Sequence, residues 1–115
     1  MKALITGITG FVGEYLAEYL LRQGIEVSGT KLPREPASTY LQNNANIYIL
    51  DLLDKRQTKT VLEQAKPDYL FHLAAQSSVA LSWKNPTLTF DVNVKGSIHL
   101  LESIRELGLR PRILL

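Results

Sequence analysis

The 115-residue sequence predicts an α/β fold in which a doubly wound parallel sheet is covered by helices on both faces. Short apolar runs alternate along the chain with segments whose apolar residues recur at helical spacing, which is typical of right-handed βαβ units. The fourth apolar run, DYLFHLAA at residues 68–75, is almost uninterrupted. Such a run is expected of a central strand that is buried on both faces of a parallel sheet.

Five strands and three longer helices are predicted, in alternation. The strands cover residues 3–5, 25–30, 46–50, 68–75 and 112–115. The first helix begins near Val12 and is closed by Gly24, the second begins at Asp54 and stops before Pro67, and the third runs from Asn85–Pro86 to Gly108. Residues 31–45 contain two prolines and are predicted to form a loop with at most one short helical turn.

The composition favours one globular domain and excludes several classes of function. Apolar residues make up 45% and charged residues 21%, and the net charge is only +2 without a basic stripe, which argues against nucleic-acid binding. No apolar run approaches the roughly 20 residues that would span a bilayer. Cysteine is absent and the N-terminus has no signal-peptide pattern, so a cytoplasmic protein is expected.

Three evenly spaced glycines follow the first strand, in the segment TGITGFVG. Gly7 allows a tight turn out of the strand, Gly10 removes a Cβ where backbone would approach a pyrophosphate, and Gly13 allows close helix packing. The helix that follows would present free N–H groups and a partial positive charge to the phosphates. Because the glycines stand between a strand and a helix in the first βα unit, they predict a Rossmann-type dinucleotide site.

The G-x-x-G-x-x-G spacing, with Phe11 after the second glycine, resembles the extended short-chain dehydrogenase/reductase family. The resemblance continues through Asp51–Leu52, HLAA at residues 72–75 and NVKGSIHLLES at residues 93–103. The segments GFVGEYLAEYL, KPDYLFHLAAQSSVALSW and FDVNVKGS are most similar to GDP-4-keto-6-deoxy-mannose reductases, with GDP-mannose 4,6-dehydratases a close second. The resemblance implies NAD(P)-dependent chemistry on a nucleotide sugar, and a non-catalytic dinucleotide-binding protein is the third possibility.

A phosphorylated cofactor, NADP(H), is predicted from the end of the second strand. That strand ends at Thr30 and Lys31 with no carboxylate before Glu35, so Lys31 and Arg34 could offer charge to a 2′-phosphate. If these two cations are merely solvated, NAD(H) is tolerated as well. The predicted cofactor contacts are Gly7, Thr9, Gly10, Phe11, Val12, Gly13, Thr30, Lys31, Asp51, Leu52, Leu73, Ala74 and Ala75.

The remaining predictions depend mainly on the family resemblance. It implies substrate contacts at Gln76, Ser77 and Ser78, and a supporting role for Asn93 behind an active-site lysine. No tyrosine here has a lysine four residues later, so the family's catalytic pair is absent and the chain, which stops within RILL, is predicted to be the N-terminal part of a longer enzyme. The helix from Pro86 to Leu107 resembles one that pairs between subunits in this family, so the resemblance implies a homodimer. His72 is expected to be a hydrogen-bonded core residue rather than a metal ligand, and no metal is predicted.

Overall fold

A five-stranded parallel sheet forms the centre of the molecule. The computed structural model describes residues 1–74 and 86–114, with side chains in the second range described from residue 93. The strands are β1 (Lys2–Thr6), β2 (Glu26–Lys31), β3 (Asn46–Ile49), β4 (Tyr69–His72) and β5 (Arg112–Leu114), in the order β3-β2-β1-β4-β5. This order confirms the predicted doubly wound parallel sheet, and it reverses direction between β1 and β4, where such sheets bind ligands.

Within the described residues, four helices connect the strands: α1 (Phe11–Arg22), α2 (Thr39–Asn44), α3 (Lys55–Ala65) and α4 (Pro86–Glu106). The helix α2 lies in the segment predicted as a loop. It forms because the Ser38 hydroxyl accepts a hydrogen bond from the Leu41 N–H at 3.2 Å, and because Leu41 is fully buried. The boundaries predicted for α1 and α3 are confirmed: Gly24 adopts a φ of +77° after α1, and the Asp54 carboxylate accepts a bond from the Gln57 N–H.

Two hydrophobic cores cover the two faces of the sheet. Along β1 the side chains alternate, so that Leu4 joins one core while Ala3 and Ile5 join the other. The first core packs α3 and α4 against the sheet through Leu62, Leu100 and others, and the second packs α1 and α2 through residues such as Leu41. Each fully buried leucine contributes about 1.5–3 kcal/mol, so the central strand is fixed from both sides.

The strand β4 is shorter than its apolar sequence predicts. Its pairing with β1 ends at Thr6 and His72, and the backbone of Leu73 and Ala74 leaves the ladder. At the edge of the described sheet, β5 pairs with β4 alone and its Leu114 is 60% exposed, although the sequence predicts a central position for this strand. Within the described residues, no helix has the length and apolarity needed to cross a membrane.

Ion pairs join α3 to α4 at the surface. The Lys55 ammonium contacts the carboxylates of Glu102 at 2.8 Å and Glu106 at 2.9 Å, and Lys59 contacts Glu106 at 3.2 Å. The hydrogen bonds to Glu102 and Glu106 raise the pKa of Lys55, and the same bonds lower the pKa of both carboxyls. The cluster therefore links the N-terminal half of α3 to the C-terminal end of α4 at the protein surface.

Candidate functional site

The glycine-rich turn lies at the carboxyl end of β1, between β2 and β4. Gly7 has a φ of +71°, and a Cβ at this position would lie 2.9 Å from the Ala74 Cα, so both the conformation and the space require glycine. A Cβ at Gly13 would lie 2.5 Å from the Gly7 carbonyl oxygen and 2.8 Å from the Ile8 Cα. The close packing predicted for Gly13 is therefore made against the turn itself.

Gly10 differs from its two neighbours because no described residue fills the space beside its Cα. Among the residues that the structure describes, a Cβ there would meet only the Gly7 carbonyl oxygen, at 3.5 Å. Gly10 is the N-cap of α1 and no side chain caps the helix, so the first N–H groups of α1 have no acceptor within it. The opening thus combines free N–H donors, the positive end of a helix dipole and room for a bulky anion, which is the chemistry of pyrophosphate binding.

Phe11 and Val12 flank this opening on the first turn of α1. Their side chains are 89% and 62% exposed, respectively. The sequence predicts both as cofactor contacts, and their exposure leaves their surfaces accessible beside the opening.

Ile8 of the turn packs against Gly29 of β2. Ile8 is fully buried, and its N–H donates to the Thr30 carbonyl oxygen at 3.1 Å. A Cβ at Gly29 would lie 2.3–2.6 Å from Ile8 side-chain atoms, so only glycine in β2 leaves room for Ile8. Sequence reasoning missed this pair, although a glycine within a strand is a known signal of close approach.

The end of β2 places Thr30 and Lys31 beside the turn, in unequal environments. Thr30 is 2% exposed and its hydroxyl accepts a long hydrogen bond from the Gly7 N–H at 3.4 Å, so it supports the turn from within. The Lys31 ammonium donates to the carbonyl oxygens of Leu32 at 3.3 Å and Glu35 at 2.9 Å. Among the described residues, its charge is therefore held at the loop by neutral carbonyl acceptors.

The loop after β2 folds back onto the turn and onto α1. The Thr9 hydroxyl donates to Oε2 of Glu35 at 2.7 Å, and Oε1 of Glu35 accepts from the Leu32 N–H at 3.0 Å. The Ser38 hydroxyl donates to the Glu14 carboxylate at 2.7 Å. The Glu35 carboxylate thus lies beside the glycine-rich turn, where the sequence predicts a role for the charges of Lys31 and Arg34.

Asp51 and Leu52 follow β3 at the same edge of the sheet. Asp51 is exposed, and its Oδ1 accepts a hydrogen bond from the Leu53 N–H at 2.9 Å, which is a turn-forming role. Leu52 is buried against α4, where a Cβ at Gly96 would lie 3.1 Å from the Leu52 Cβ. Glycine at position 96 thus allows α4 to approach Leu52 closely.

His99 on α4 contacts this same segment. Its Nδ1 lies 2.7 Å from the Leu52 carbonyl oxygen, so His99 joins α4 to the segment after β3.

His72 links β1 to α4 through hydrogen bonds on both ring nitrogens. Its Nδ1 lies 2.7 Å from the Thr6 hydroxyl and its Nε2 lies 3.0 Å from the Ser97 hydroxyl, and Ser97 donates to the Asn93 carbonyl oxygen at 2.8 Å. Burial lowers the pKa of His72. The prediction of a hydrogen-bonded core histidine is confirmed.

Four strand ends therefore meet around the turn. This carboxyl edge of the sheet carries five of the predicted cofactor contacts: Gly7, Lys31, Asp51, Leu73 and Ala74. Asn93 is half-buried on α4. The predicted contacts at Ala75, Gln76, Ser77 and Ser78 lie outside the described residues.

Residues 4–115 match the family model described as GDP-mannose 4,6 dehydratase. A GDP-mannose 4,6-dehydratase of Vibrio cholerae is 45% identical over 121 residues, covering 94% of this chain and 32% of the relative. A CDP-glucose 4,6-dehydratase of Salmonella typhimurium is 34% identical over 112 residues, covering 93% of this chain and 31% of the relative. The chain spans about a third of the length of these relatives.

Solved structures agree on the fold. The UDP-glucose 4-epimerase of Thermus thermophilus, in complex with NAD, superposes with a TM-score of 0.86 at 33% identity, over 96% of this chain and 35% of the epimerase chain. The Thermotoga maritima UDP-glucose 4-epimerase with UDP-glucose gives 0.84 at 32% identity, over 95% and 35% of the two chains. With the glycine turn, the parallel sheet and the match to residues 4–115, the chain belongs to the GDP-mannose 4,6-dehydratase family of extended short-chain dehydrogenases/reductases.

Proposed function

We propose that this chain is the dinucleotide-binding part of a longer GDP-mannose 4,6-dehydratase. When bound, the nicotinamide would supply reversible hydride transfer to and from the sugar, so that the net change of such an enzyme would be loss of water. The observation that carries the proposal is the open space at Gly10 above an uncapped helix N-terminus. The family match over residues 4–115 supports the choice of substrate.

The dehydratase is better supported than the reductase that the sequence segments favour. Relatives from Vibrio cholerae and Arabidopsis thaliana carry the name GDP-mannose 4,6-dehydratase at 39–45% identity. Both enzyme types need the same dinucleotide site, which explains why this part of the chain resembles both. In either case the catalytic tyrosine and lysine, with the rest of the Rossmann domain and a substrate domain, would come from sequence beyond this chain.

A product assay separates the three candidates in the full-length protein. A dehydratase converts GDP-mannose to its 4-keto-6-deoxy product without added reductant, and no reduced nicotinamide accumulates. A reductase leaves GDP-mannose unchanged and oxidises NADPH only when the 4-keto-6-deoxy sugar is supplied. A non-catalytic dinucleotide-binding protein performs neither reaction while still binding the cofactor, and that result would overturn both enzyme proposals.

For the cofactor we propose NADP(H). Within the part of the chain that the structure describes, the Lys31 ammonium donates to the neutral carbonyl oxygens of Leu32 and Glu35, so exchanging them for a 2′-phosphate dianion would be favourable. NAD(H) is the second candidate, and it is favoured by the Glu35 carboxylate, which lies 2.7 Å from the Thr9 hydroxyl and would repel a phosphate. The NAD-bound epimerase from Thermus thermophilus is consistent with a nicotinamide dinucleotide of either form.

Binding to the 115-residue chain tests the site directly. NADPH and NADH are titrated against the wild-type chain and the Gly10→Ala variant. The added methyl group meets only the Gly7 carbonyl oxygen, so the variant should unfold at nearly the wild-type temperature but bind both dinucleotides at least about tenfold more weakly. Unchanged affinity in a folded Gly10→Ala chain would place the pyrophosphate elsewhere.

We also propose that the full-length protein is a cytoplasmic homodimer that pairs through α4. Support comes from apolar side chains on the outward face of α4, where Val94, Ile98 and Leu101 are exposed. Light scattering of the full-length protein tests the pairing, and Ile98→Glu should yield a monomer.

A further inference from the structure

A continuous chain of hydrogen bonds runs from the end of β1 to α4 behind the dinucleotide turn. Thr6 is fully buried, and its Oγ1 lies 3.0 Å from the Leu73 nitrogen, 3.1 Å from the Ala74 nitrogen and 2.7 Å from His72 Nδ1. The Leu73 N–H is shared with the Thr6 carbonyl oxygen. On its other side, His72 contacts Ser97 through Nε2.

The positions of the protons in this chain follow from counting donors and acceptors. The N–H groups of Leu73 and Ala74 can only donate, so they occupy both lone pairs of the Thr6 hydroxyl oxygen. The Thr6 hydroxyl hydrogen must then point to His72 Nδ1, which accepts it. The ring proton of neutral His72 therefore lies on Nε2 and is donated to Ser97, which donates its own hydrogen to the Asn93 carbonyl oxygen.

This arrangement determines where the backbone after β4 lies relative to the glycine turn. The Thr6 hydroxyl accepts hydrogen bonds from the N–H groups of Leu73 and Ala74. Ala74 in turn packs so closely against the turn that a Cβ on Gly7 would lie 2.9 Å from the Ala74 Cα. We propose that His72 is a positioning residue for the dinucleotide site: as the neutral Nε2–H tautomer it fixes the Thr6 hydroxyl, which holds Leu73 and Ala74 against the turn. The inference rests on the proposed dinucleotide binding.

Protonation of His72 is incompatible with this arrangement. It would place a second donor on Nδ1, facing a Thr6 oxygen whose lone pairs are already occupied. Among the described residues, the groups that hydrogen-bond to the ring are Thr6 from β1 and Ser97 from α4, and neither of them titrates. Among the described residues no carboxylate contacts the ring to stabilise an imidazolium, and burial alone lowers the pKa of His72. Dinucleotide affinity should therefore weaken in acid because the Thr6 hydroxyl loses its orientation.

Nitrogen-15 NMR of the histidine rings tests the tautomer in the wild-type chain. The chain has two histidines, and His99 provides an internal control because its Nδ1 must donate to the Leu52 carbonyl oxygen. We expect opposite tautomers at neutral pH, with the proton on Nε2 of His72 and on Nδ1 of His99. A proton on Nδ1 of His72 would overturn the inference.

Two substitutions separate the halves of the network. The amide oxygen of His72→Asn can replace Nδ1 as the acceptor for Thr6, whereas the amide nitrogen of His72→Gln can replace only Nε2 as the donor to Ser97. The titration uses NAD⁺, whose pyrophosphate does not titrate between about pH 5 and 8. At pH 7.5 we expect His72→Asn to bind within about twofold of wild type and His72→Gln to bind about tenfold more weakly.

The pH profile supplies the decisive comparison. Wild-type affinity should fall as the pH drops through the pKa of His72, which burial lowers from the ordinary value of 6.5, whereas the affinity of His72→Asn should stay constant. Identical profiles for the two proteins would overturn the inference while leaving the dinucleotide site intact. If the wild-type chain binds no dinucleotide at any pH, the proposed function fails instead, and the inference fails with it.

Discussion

The hydroxyl group of Thr9 donates a hydrogen bond to the carboxylate of Glu35 at 2.7 Å. This contact joins the middle of the glycine-rich turn to a loop 26 residues further along the chain. It places a negative charge where the sequence suggests that the two cations Lys31 and Arg34 select a phosphorylated ribose. The preference between the two cofactors therefore depends on which of these charges faces the ribose.

Removing the charge of Glu35 should favour the phosphorylated cofactor. In Glu35→Gln the amide oxygen can still accept from Thr9, the amide nitrogen no longer accepts from the Leu32 N–H, and the repulsion toward a 2′-phosphate is lost. We expect NADPH to bind about tenfold more tightly and NADH to change by less than about twofold. Fluorescence titration of both cofactors measures this, with Glu63→Gln, an exposed position on α3, as the matched control. A selective loss of NADH affinity would instead assign Glu35 to the ribose hydroxyls and favour NAD(H).

A methyl group at Gly13 should damage the fold as well as the site. The new Cβ would lie 2.5 Å from the Gly7 carbonyl oxygen and 2.8 Å from the Ile8 Cα, both of which are backbone atoms that cannot rotate away. Gly13→Ala should lower the free energy of unfolding by about 1–3 kcal/mol, measured by urea denaturation. Gly10→Ala serves as the control, because its Cβ has space. Equal stability of the two variants would contradict the packing described here.

The contact between Gly29 and Ile8 predicts a second position that tolerates no side chain. In Gly29→Ala the Cβ would lie 2.3 Å from the Ile8 Cδ1 and 2.5 Å from its Cβ. Rotation of Ile8 can relieve only the first of these contacts, so the turn itself must shift. We expect a loss of about 1–3 kcal/mol in the free energy of unfolding, together with weaker dinucleotide binding. A Gly29→Ala chain that retains wild-type stability would show that Ile8 can move aside without disturbing the turn.

The ion pairs of Lys55 should make stability depend on pH and salt. The pKa values of Glu102 and Glu106 are lowered in the folded chain, so their contribution is present above the ordinary value of 4.5 and is lost as the pH falls through the lowered values. Lys55→Met should therefore reduce the urea midpoint at pH 7 and flatten its acid dependence. In about 1 M salt the difference from wild type should shrink, because exposed charges are screened.

The control for the ion-pair prediction is Lys66→Met, at an exposed position after α3. It removes one positive charge without touching either glutamate. A Lys66→Met chain that lost as much stability as Lys55→Met would show that net charge, rather than the contacts with α4, is responsible.

Local patterns predicted the parallel sheet, the glycine turn and the hydrogen-bonded His72, because each depends on neighbours in sequence or on alternation along a strand. The contacts that determine the detail of the site connect distant residues. Thr9 meets Glu35 only because the loop folds back, and Ile8 lies over Gly29 only because β1 and β2 pair. The sequence of β4 remains apolar through Ala75, yet the backbone leaves the ladder at Leu73, where the Thr6 hydroxyl captures its N–H.

The position of β5 has a consequence for handling the chain. In the described sheet β5 has a neighbour on one side only, and its short apolar sequence includes the exposed Leu114. A parallel edge of this kind offers hydrogen-bonding groups to any extended peptide, including a second copy of the same strand. Expressed by itself, the 115-residue chain should therefore self-associate through this edge as its concentration rises, and the Ile113→Lys substitution should keep it monomeric.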